Sequence, residues 1–339
     1  MSRRDDRLLL AREAGELPLP DEGMIAVLRA SMSGLYATVG SHRFLCQQGF
    51  RPLHDRLAGE GLAVSPDTPG SAAAAIVFAT RSRSDSLGAV AEALALVPPG
   101  AVVAVTGART DGIDALMRQI GSVMPLDGRM SKAHGRVFHF RRPVQLPTEV
   151  ENWAADHALR PNAAGFMTGP GMFSPDHPDP GSERLASHAQ GRLGGAVADF
   201  GAGWGWLAAR LLATNPEIAT LDLHEAEARA LEAARRNVTD PRASFHWSDV
   251  TRLTGSGYDW VVSNPPFHRG RAAEPELGVS FITAAARLLK PAGSLLLVAN
   301  RSLPYEATLA RVFRSVTPLA EDEAYKVIEA KRPVTARSG

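Results

Sequence analysis

Cysteine is almost absent from this chain: Cys46 is the single thiol among 339 residues. One cysteine excludes an internal disulfide framework and a Cys-rich zinc site. Lysine is scarce as well, with Lys132, Lys290, Lys326 and Lys331 against a background of arginine. Neither sign of charge dominates. The formal net charge is +1, so the chain is neither a basic arm nor an acidic tail. No stretch approaches the roughly 18 consecutive apolar residues of a membrane span. The apolar run near the start, Leu8 to Ala11, is too short for a signal-peptide core. A cytoplasmic location without a membrane partner is therefore expected. What is present is a globular composition, 45% hydrophobic and 22% charged, too apolar for a disordered chain. At roughly 100–200 residues per domain, the length suggests two domains or one large one.

The segment Pro143–Val150 holds two prolines without apolar periodicity and reads as a linker. It divides the chain into residues 1–145 and 150–339. Before it, Ala74–Ala79, Ala101–Val105 and Arg136–Phe140 read as strands, with helices at Ser86–Val97 and Asp111–Gly121. After it the alternation is clearer. Strands are expected at Val197–Phe200, Ile218–Leu223, Ala243–Trp247, Tyr258–Ser263, Ser294–Ala299, near Val316 and at Tyr325–Glu329. Helices are expected to about Ala213, over about Glu225–Asn237 and over about Glu274–Lys290. Strands alternating with helices imply α/β units with parallel sheets and flanking helices. No residue-level repeat links the halves.

The sharpest local signal is the turn Asp199-Phe200-Gly201-Ala202-Gly203-Trp204-Gly205 between a buried strand and a helix. Glycines at alternate positions let the backbone turn tightly and approach a ligand without Cβ clash. The helix N-terminus offers free N–H groups to an anion or carboxylate. The spacing is G-x-G-x-G, not the G-x-G-x-x-G of a dinucleotide site, which disfavours a nicotinamide oxidoreductase. It resembles motif I of the class I S-adenosylmethionine (SAM) methyltransferases. That resemblance implies that Asp199 lies near the SAM amino group. Gly201, Ala202, Gly203 and Gly205 would pass under the methionine part and ribose. A nucleotide-like ligand needs an acid for its ribose hydroxyls about 20 residues on. Asp222 is the expected residue, with Glu225 as the alternative and a helix N-cap as the competing role for Asp222. Asp249 follows the third strand, where these enzymes bond the adenine amino group; a turn aspartate facing water is the other reading.

Ser263-Asn264-Pro265-Pro266-Phe267-His268 directly follows a strand. Two prolines cannot continue a central strand, and they stiffen the turn. The tetrapeptide Asn264 to Phe267 resembles motif IV of methyltransferases acting on planar exocyclic or amide nitrogens. Such a nitrogen is conjugated and a poor nucleophile. The side-chain oxygen of Asn264 can accept one of its N–H bonds, and the carbonyl of Pro265 the other. The two together aim the lone pair at a methyl donor. Phe267 can stack on a base. Positioning and electrostatics carry the effect, without a strong general base.

Together these segments resemble the two-domain ribosomal RNA guanine-N2 methyltransferases of the RsmC/RlmG type over about residues 165–330. A further carrier is Gly169 to Ser174 with Asp179 to Ser182, which is similar to the family's G-x-F-S and D-x-G-[ST] segments beside the cofactor. The resemblance implies that Phe173, Ser174 and Ser182 line the SAM pocket, although a plain Pro/Gly linker would read the same. It implies two tandem Rossmann-like methyltransferase domains, each with a seven-stranded, mostly parallel sheet, the N-terminal one degenerate. It implies SAM as cofactor, no metal, and ribosomal RNA or a ribosomal subunit as partner. In the first half, Thr80-Arg81-Ser82-Arg83 occupies the place of a motif IV, with Arg81 and Arg83 as candidate RNA contacts. Arg129–Arg142 holds five basic residues and no acid, and reads either as a phosphate-binding stripe or as a solvated face. His268, Arg269 and Arg271 are candidates beside the target nucleotide. Trp204 and Trp206 replace smaller residues and are expected to pack against neighbouring helices. Adenine-N6 or protein-glutamine methylation shares the Asn-Pro-Pro-aromatic motif. A noncatalytic RNA-binding or ribosome-assembly protein is the reading from another class.

Overall fold

The computed structural model describes residues 5–255, 257–266, 268, 269, 272, 273 and 275–334, without the side chains of 268, 269, 272, 273 and 275. The chain divides into two units, Met1–Leu159 with Gly169–Gly171, and Arg160–Thr168 with Met172–Gly339.

The first unit contains α1 (Arg7–Glu13), β1 (Ile25–Leu28), α2 (Leu35–Val39), β2 (Phe44–Gln47), α3 (Arg51–Gly59), β3 (Ala63–Ser65) and β4 (Ala74–Phe78). It continues through α4 (Arg83–Leu96), β5 (Val102–Ala108), α5 (Ile113–Gly121), β6 (Gly128–Lys132), β7 (Gly135–Arg141) and α6 (Thr148–His157). Its sheet has seven strands in the order β3-β2-β1-β4-β5-β7-β6. β7 runs antiparallel to both neighbours and the other pairs are parallel. All four residues of β1 are buried, as expected for a central strand covered on both faces. The α4 helix starts where Ser82 accepts the backbone N–H of Asp85 at 3.2 Å.

The linker expected at Pro143–Val150 is cut short. Pro147 precedes α6, whose Val150 and Trp153 join the apolar core of the first unit. The division therefore falls after Leu159 and not near residue 150. The physical reason is burial: an amphipathic turn that covers two large side chains belongs to the core it covers.

The second unit opens with a short ribbon, β8 (Arg160–Pro161) and β9 (Met167–Thr168). It continues with α7 (Pro180–Ala189), β10 (Gly195–Phe200), α8 (Trp206–Thr214), β11 (Ile218–Glu225), α9 (Ala228–Asn237), β12 (Ala243–Trp247) and β13 (Tyr258–Ser263). Then follow β14 (His268–Arg269), β15 (Ala272–Ala273), α10 (Pro275–Leu288), β16 (Leu289–Asn300), α11 (Glu306–Val312), β17 (Phe313–Glu321) and β18 (Tyr325–Pro333). The main sheet runs β12-β11-β10-β13-β16-β18-β17, which repeats the first unit's order strand for strand. β18 is again antiparallel to both neighbours. Two apolar cores cover the two faces of this sheet, one built on Leu185, Leu207, Leu211 and Leu223, the other on Phe200, Ile282, Leu288 and Leu309. Each buried leucine contributes roughly 1.5–3 kcal/mol.

The consequence for function is positional. The strand order reverses between β10 and β13, and in open α/β sheets ligands bind outside the carboxyl ends of the strands at that switch point.

Candidate active site

Phe200 ends β10 and the chain turns at once. Gly201, Gly203 and Gly205 have φ of +76°, +55° and +87°, a region that costs a side chain strain. The N–H groups of Gly201 and Ala202 both donate to the carbonyl of His224 in β11, at 2.9 and 3.1 Å. A Cβ on Gly205 would stand 3.0 Å from Val238 and 3.1 Å from Ala234, so the third glycine lets the turn pack on α9. A Cβ on Gly203 would meet nothing within 4 Å. That glycine borders open space. α8 begins next, with no side chain capping its N-terminus.

Asp199 is 1% exposed, and neither carboxylate oxygen has a hydrogen-bond partner among the described residues. Burial, reinforced by the charge of Glu225, pushes its carboxyl up to about 8. An orphaned buried carboxyl is costly and calls for a donor from outside the chain. Glu225 closes β11. Its Oε2 accepts the N–H of Gly203 and its Oε1 that of Glu227, each at 2.8 Å. Burial raises its carboxyl, against the pull of these backbone N–H groups.

The expected ribose acid, Asp222, lies elsewhere. β11 runs on to Glu225, two residues past its expected end, which leaves Asp222 inside the strand opposite Ala198. Its Oδ2 accepts the hydroxyl of Tyr258 at 2.8 Å, and Oδ1 lies 3.3 Å from His246 Nε2. The single proton of Tyr258 is thereby committed. His224 Nε2, 3.0 Å from that hydroxyl oxygen, must donate to it, and Nδ1 accepts from Ser248 at 2.9 Å. Burial, with the nearby His246, pulls His224 down to about 4, so its ring is neutral at physiological pH. Asp222, His224 and His246 place ligand atoms within 4.8 Å of one another. Both nitrogens of His224 are already used, however. Its ring stacks on that of His246 at 4.7 Å and 20°, so their in-plane lone pairs run side by side and do not converge. The cluster is a hydrogen-bond network beneath the glycine turn. Asp249 caps the turn Val250–Arg252, with Oδ1 accepting the N–H and hydroxyl of Thr251 at 2.9 and 2.6 Å; its Oδ2 has no partner among the described residues.

On the other side of β10, β13 ends at Ser263, whose hydroxyl donates to the carbonyl of Phe200 at 2.8 Å. Asn264 follows. Its Nδ2 donates to Asp179 Oδ2 and to Ser182 Oγ, each at 2.9 Å. Asp179 Oδ2 also caps α7 by accepting the N–H of Ser182 at 2.9 Å. Gly181 is required between them, since a Cβ there would lie 2.9 Å from Tyr325 and 3.0 Å from Asp179. Pro265 is buried and Pro266 exposed.

One pocket joins these parts: Phe173, Ser174, Asp179, Ser182, Gly201, Ala202, Gly203 and Asn264 line it, together with Trp204, Trp206 and Leu207. Trp206 also packs on the apolar core. Trp204 is 5% exposed. Its indole N–H donates to the Phe173 carbonyl at 2.9 Å and its ring lies 5.5 Å from that of Phe166. Asn237 ties the carbonyls of Trp204 and Met167 together at 2.8 Å each. The tryptophan therefore ties Phe166 and Phe173 to the glycine turn. Ser174 adopts φ +43° and donates to the His177 carbonyl at 2.8 Å.

Phe267 and Arg271 lie outside the described residues, and of His268 and Arg269 only the backbone is described, paired with Ala272–Ala273. Arg81 and Arg83 are exposed and line a separate cavity in the first unit, near the carboxyl end of β4. The basic stripe is partly spent on structure. Arg136 pairs with Asp114, and Arg142 donates to the Leu94 carbonyl at 2.8 Å. Reading residue types offered Glu225 as the alternative to Asp222, and missed Asp179 as the partner of Asn264. The signal for Asp179 was present: an aspartate before Pro-Gly-Ser is an N-cap signature.

The chain matches the family model described as "Methyltransferase small domain" over residues 163–329. It is 30% identical over 236 residues to a protein named ribosomal RNA small subunit methyltransferase C from Shewanella loihica, covering 68% of each chain. A protein of that name from Salmonella choleraesuis is 31% identical over 236 residues, covering 69% of this chain and 68% of the relative. A solved T. thermophilus 16S rRNA N2 methyltransferase, in complex with AdoMet and guanosine, shares the fold with a TM-score of 0.76 at 22% identity. The match covers 92% of this chain and 88% of that one.

Proposed function

The chain belongs to the ribosomal RNA small subunit methyltransferase C family, and from that membership and the pocket we propose that it moves a methyl group from SAM to guanine N2 of ribosomal RNA. The observation that carries this reading is that Asn264 and the glycine turn share one pocket.

The residues fit the cofactor. Asp199 is a buried carboxyl lacking a donor, which an amino group would supply. The turn at Gly201–Gly203 lines the pocket, and at Gly203 the backbone faces it bare, where a Cβ would meet nothing within 4 Å. Glu225, at the carboxyl end of β11, takes the ribose role in place of Asp222, and the uncommitted oxygen of Asp249 suits an adenine amino group. When bound, SAM supplies a methyl group activated by a positively charged sulfur. The protein's work is to make a poor nucleophile attack. Asn264 Oδ1 and the Pro265 carbonyl accept the two N–H bonds of the guanine amino group. That draws its electron pair out of conjugation and points it into the pocket. Oriented acceptors of this kind act without rearranging during the reaction. The extra proton on the product leaves to water, so no side chain needs to act as a strong base. Phe267 stacks on the base.

The partner is ribosomal RNA or the small subunit, met in the cytoplasm. We assign the first unit a supporting role in holding RNA, with Arg81 and Arg83 exposed for phosphate; local charge, and not the chain total, governs such binding. His268, Arg269 and Arg271 are assigned to the neighbourhood of the target nucleotide.

The test is transfer of labelled methyl from SAM to ribosomal RNA of a strain lacking this activity, followed by nucleoside mass spectrometry. N2-methylguanosine is the expected product. N6-methyladenosine, or label in protein glutamine, would redirect the reading, and no transfer at all would refute it.

A further inference from the structure

Asn264 can serve an amino nitrogen only if its oxygen faces the substrate. An amide carries an acceptor on one side and two donors on the other, in nearly the same shape. Turned over, it would present donors to the pocket and repel the N–H bonds it has to hold. The partners on the far side decide between these states. Nδ2 spends both of its hydrogens, one on Asp179 Oδ2 and one on Ser182 Oγ, at 2.9 Å each. No described residue donates to Oδ1. In the opposite orientation Oδ1 would meet Asp179 Oδ2 at that distance, two acceptors with no proton between them. Asp179 is itself held, because the same oxygen caps α7 through the Ser182 N–H at 2.9 Å. Gly181 keeps the path clear, with Tyr325 and Asp179 too near for a Cβ.

We propose that Asp179 is a positioning residue that locks the Asn264 amide with its oxygen toward the substrate, and so makes the site select a hydrogen-bond donor. It does not have to touch the nucleotide. As an acceptor-only group it makes one of two nearly isosteric amide orientations unfavourable, while the Ser182 hydroxyl, which can accept or donate, takes the second N–H. The inference rests on the methyl-transfer reading above and deepens it: an amino group is accepted, and a ring nitrogen or carbonyl oxygen lacking N–H is refused.

The experiment compares three variants in kcat, in SAM affinity by isothermal titration, and in thermal melting. Asp179→Asn keeps an N-cap for α7, but replaces an acceptor-only group by one that can also donate. Asn264 is then free to turn. Its kcat is expected to fall about tenfold or more, as for loss of a hydrogen bond to a charged partner, with SAM affinity within about twofold. Asn264→Asp is expected to lose kcat as well, since two carboxylates then face each other. Combining the two substitutions restores a donor–acceptor pair in reverse, again with an oxygen toward the substrate. That double variant is expected to recover about tenfold over the weaker single variant. Asp179→Ser, which also caps a helix but falls short of Asn264, supplies the same comparison if Asp179→Asn melts early. A kcat within about twofold of wild type in Asp179→Asn or Asp179→Ser overturns the proposal. A double variant no better than either single change overturns it too, because a merely structural loss would not be rescued. The modified nucleoside is identified separately from the rate. A wild-type chain that methylates some other amino nitrogen would therefore overturn the guanine reading while leaving the Asp179 comparison measurable on that product.

Discussion

The two units have the same strand order and the same single reversed strand, yet the glycine turn and Asn264 that share a pocket in the second have no counterpart in the first. Their first turns can be matched residue by residue through the strand register. In the second, the N–H of Ala202 reaches the His224 carbonyl; in the first, that of Ala30 reaches the Gln47 carbonyl at 2.9 Å. By this correspondence Arg29 stands where Gly201 stands, and both have positive φ, +54° and +76°. Val27 replaces Asp199. Phe78, next after the β4 residue that pairs with Leu28, replaces Asn264, so the counterpart of motif IV starts two residues before the expected Thr80. The Arg29 side chain bonds Gln47 at 3.0 Å and Asp85 at 3.0 Å, and His157 bonds Asp85 at 3.0 Å. Burial alone would push Asp85 up, but the His157 hydrogen bond and the Arg29 guanidinium outweigh it and hold the carboxyl well below its usual range. Where the second unit turns on bare glycine, the first fills the space with a buried ion pair. The lesson is that topology and chemistry are separable. Apolar faces of seven strands specify the sheet, while a handful of turn residues decide whether it holds a ligand.

Removing the first unit's replacement should be the most disruptive change. Arg29→Ala leaves Asp85 buried without its cation and is expected to destabilise the first unit by about 3–5 kcal/mol in denaturant unfolding. Since Asp85 is lowered in the folded state, the pair's contribution is present at neutral pH and is lost as pH falls below about 4. A loss below 1 kcal/mol would show that the ion pair is incidental. Next, Asn264→Ala is expected to lower kcat by about 10²–10³-fold, the scale of one oriented polar group in a transition state, with SAM affinity within a few-fold. Retained turnover would remove Asn264 from the chemistry.

Asp199 sharpens the comparison through pH. Its folded carboxyl is raised to about 8, so between pH 4 and pH 8 the folded state holds a proton that the unfolded state has lost. Stability therefore falls as pH rises through that window. Asp199→Asn removes the penalty. It is expected to stabilise the ligand-free protein by about 1–3 kcal/mol at pH 8, and less at pH 5, while weakening SAM binding. A melting difference that does not change with pH would contradict the orphaned carboxyl. The smallest effect separates two acids: Glu225→Gln is expected to weaken SAM about tenfold, worth 1.4 kcal/mol, whereas Asp222→Asn leaves it nearly unchanged. The reverse result would return the ribose role to Asp222.

Much of the second unit was legible because its signals are local. Ala243–Trp247 and Tyr258–Ser263 are strands at their expected bounds, since flanking turn residues mark their ends. The glycine turn and Asn264 announce themselves by residue type. The choice between the two acids of β11 was not legible, because IATLDLHE does not show where pairing stops; two residues of strand decide whether Asp222 or Glu225 stands at its end. The first unit was harder. β1 is four buried residues near Pro18, Pro20 and Gly23, too short for a period. The partners of Arg29 lie 18, 56 and 128 residues away, a tertiary fact that no local pattern encodes. The linker misjudged α6 for the same reason, since its helical face is defined by what it covers.

The most direct test of one fold with one site is the stoichiometry of SAM binding by isothermal titration. One SAM per chain is expected, abolished by Gly203→Val, which fills the pocket and strains a positive φ. Two sites per chain, or one that survives Gly203→Val, would contradict the account.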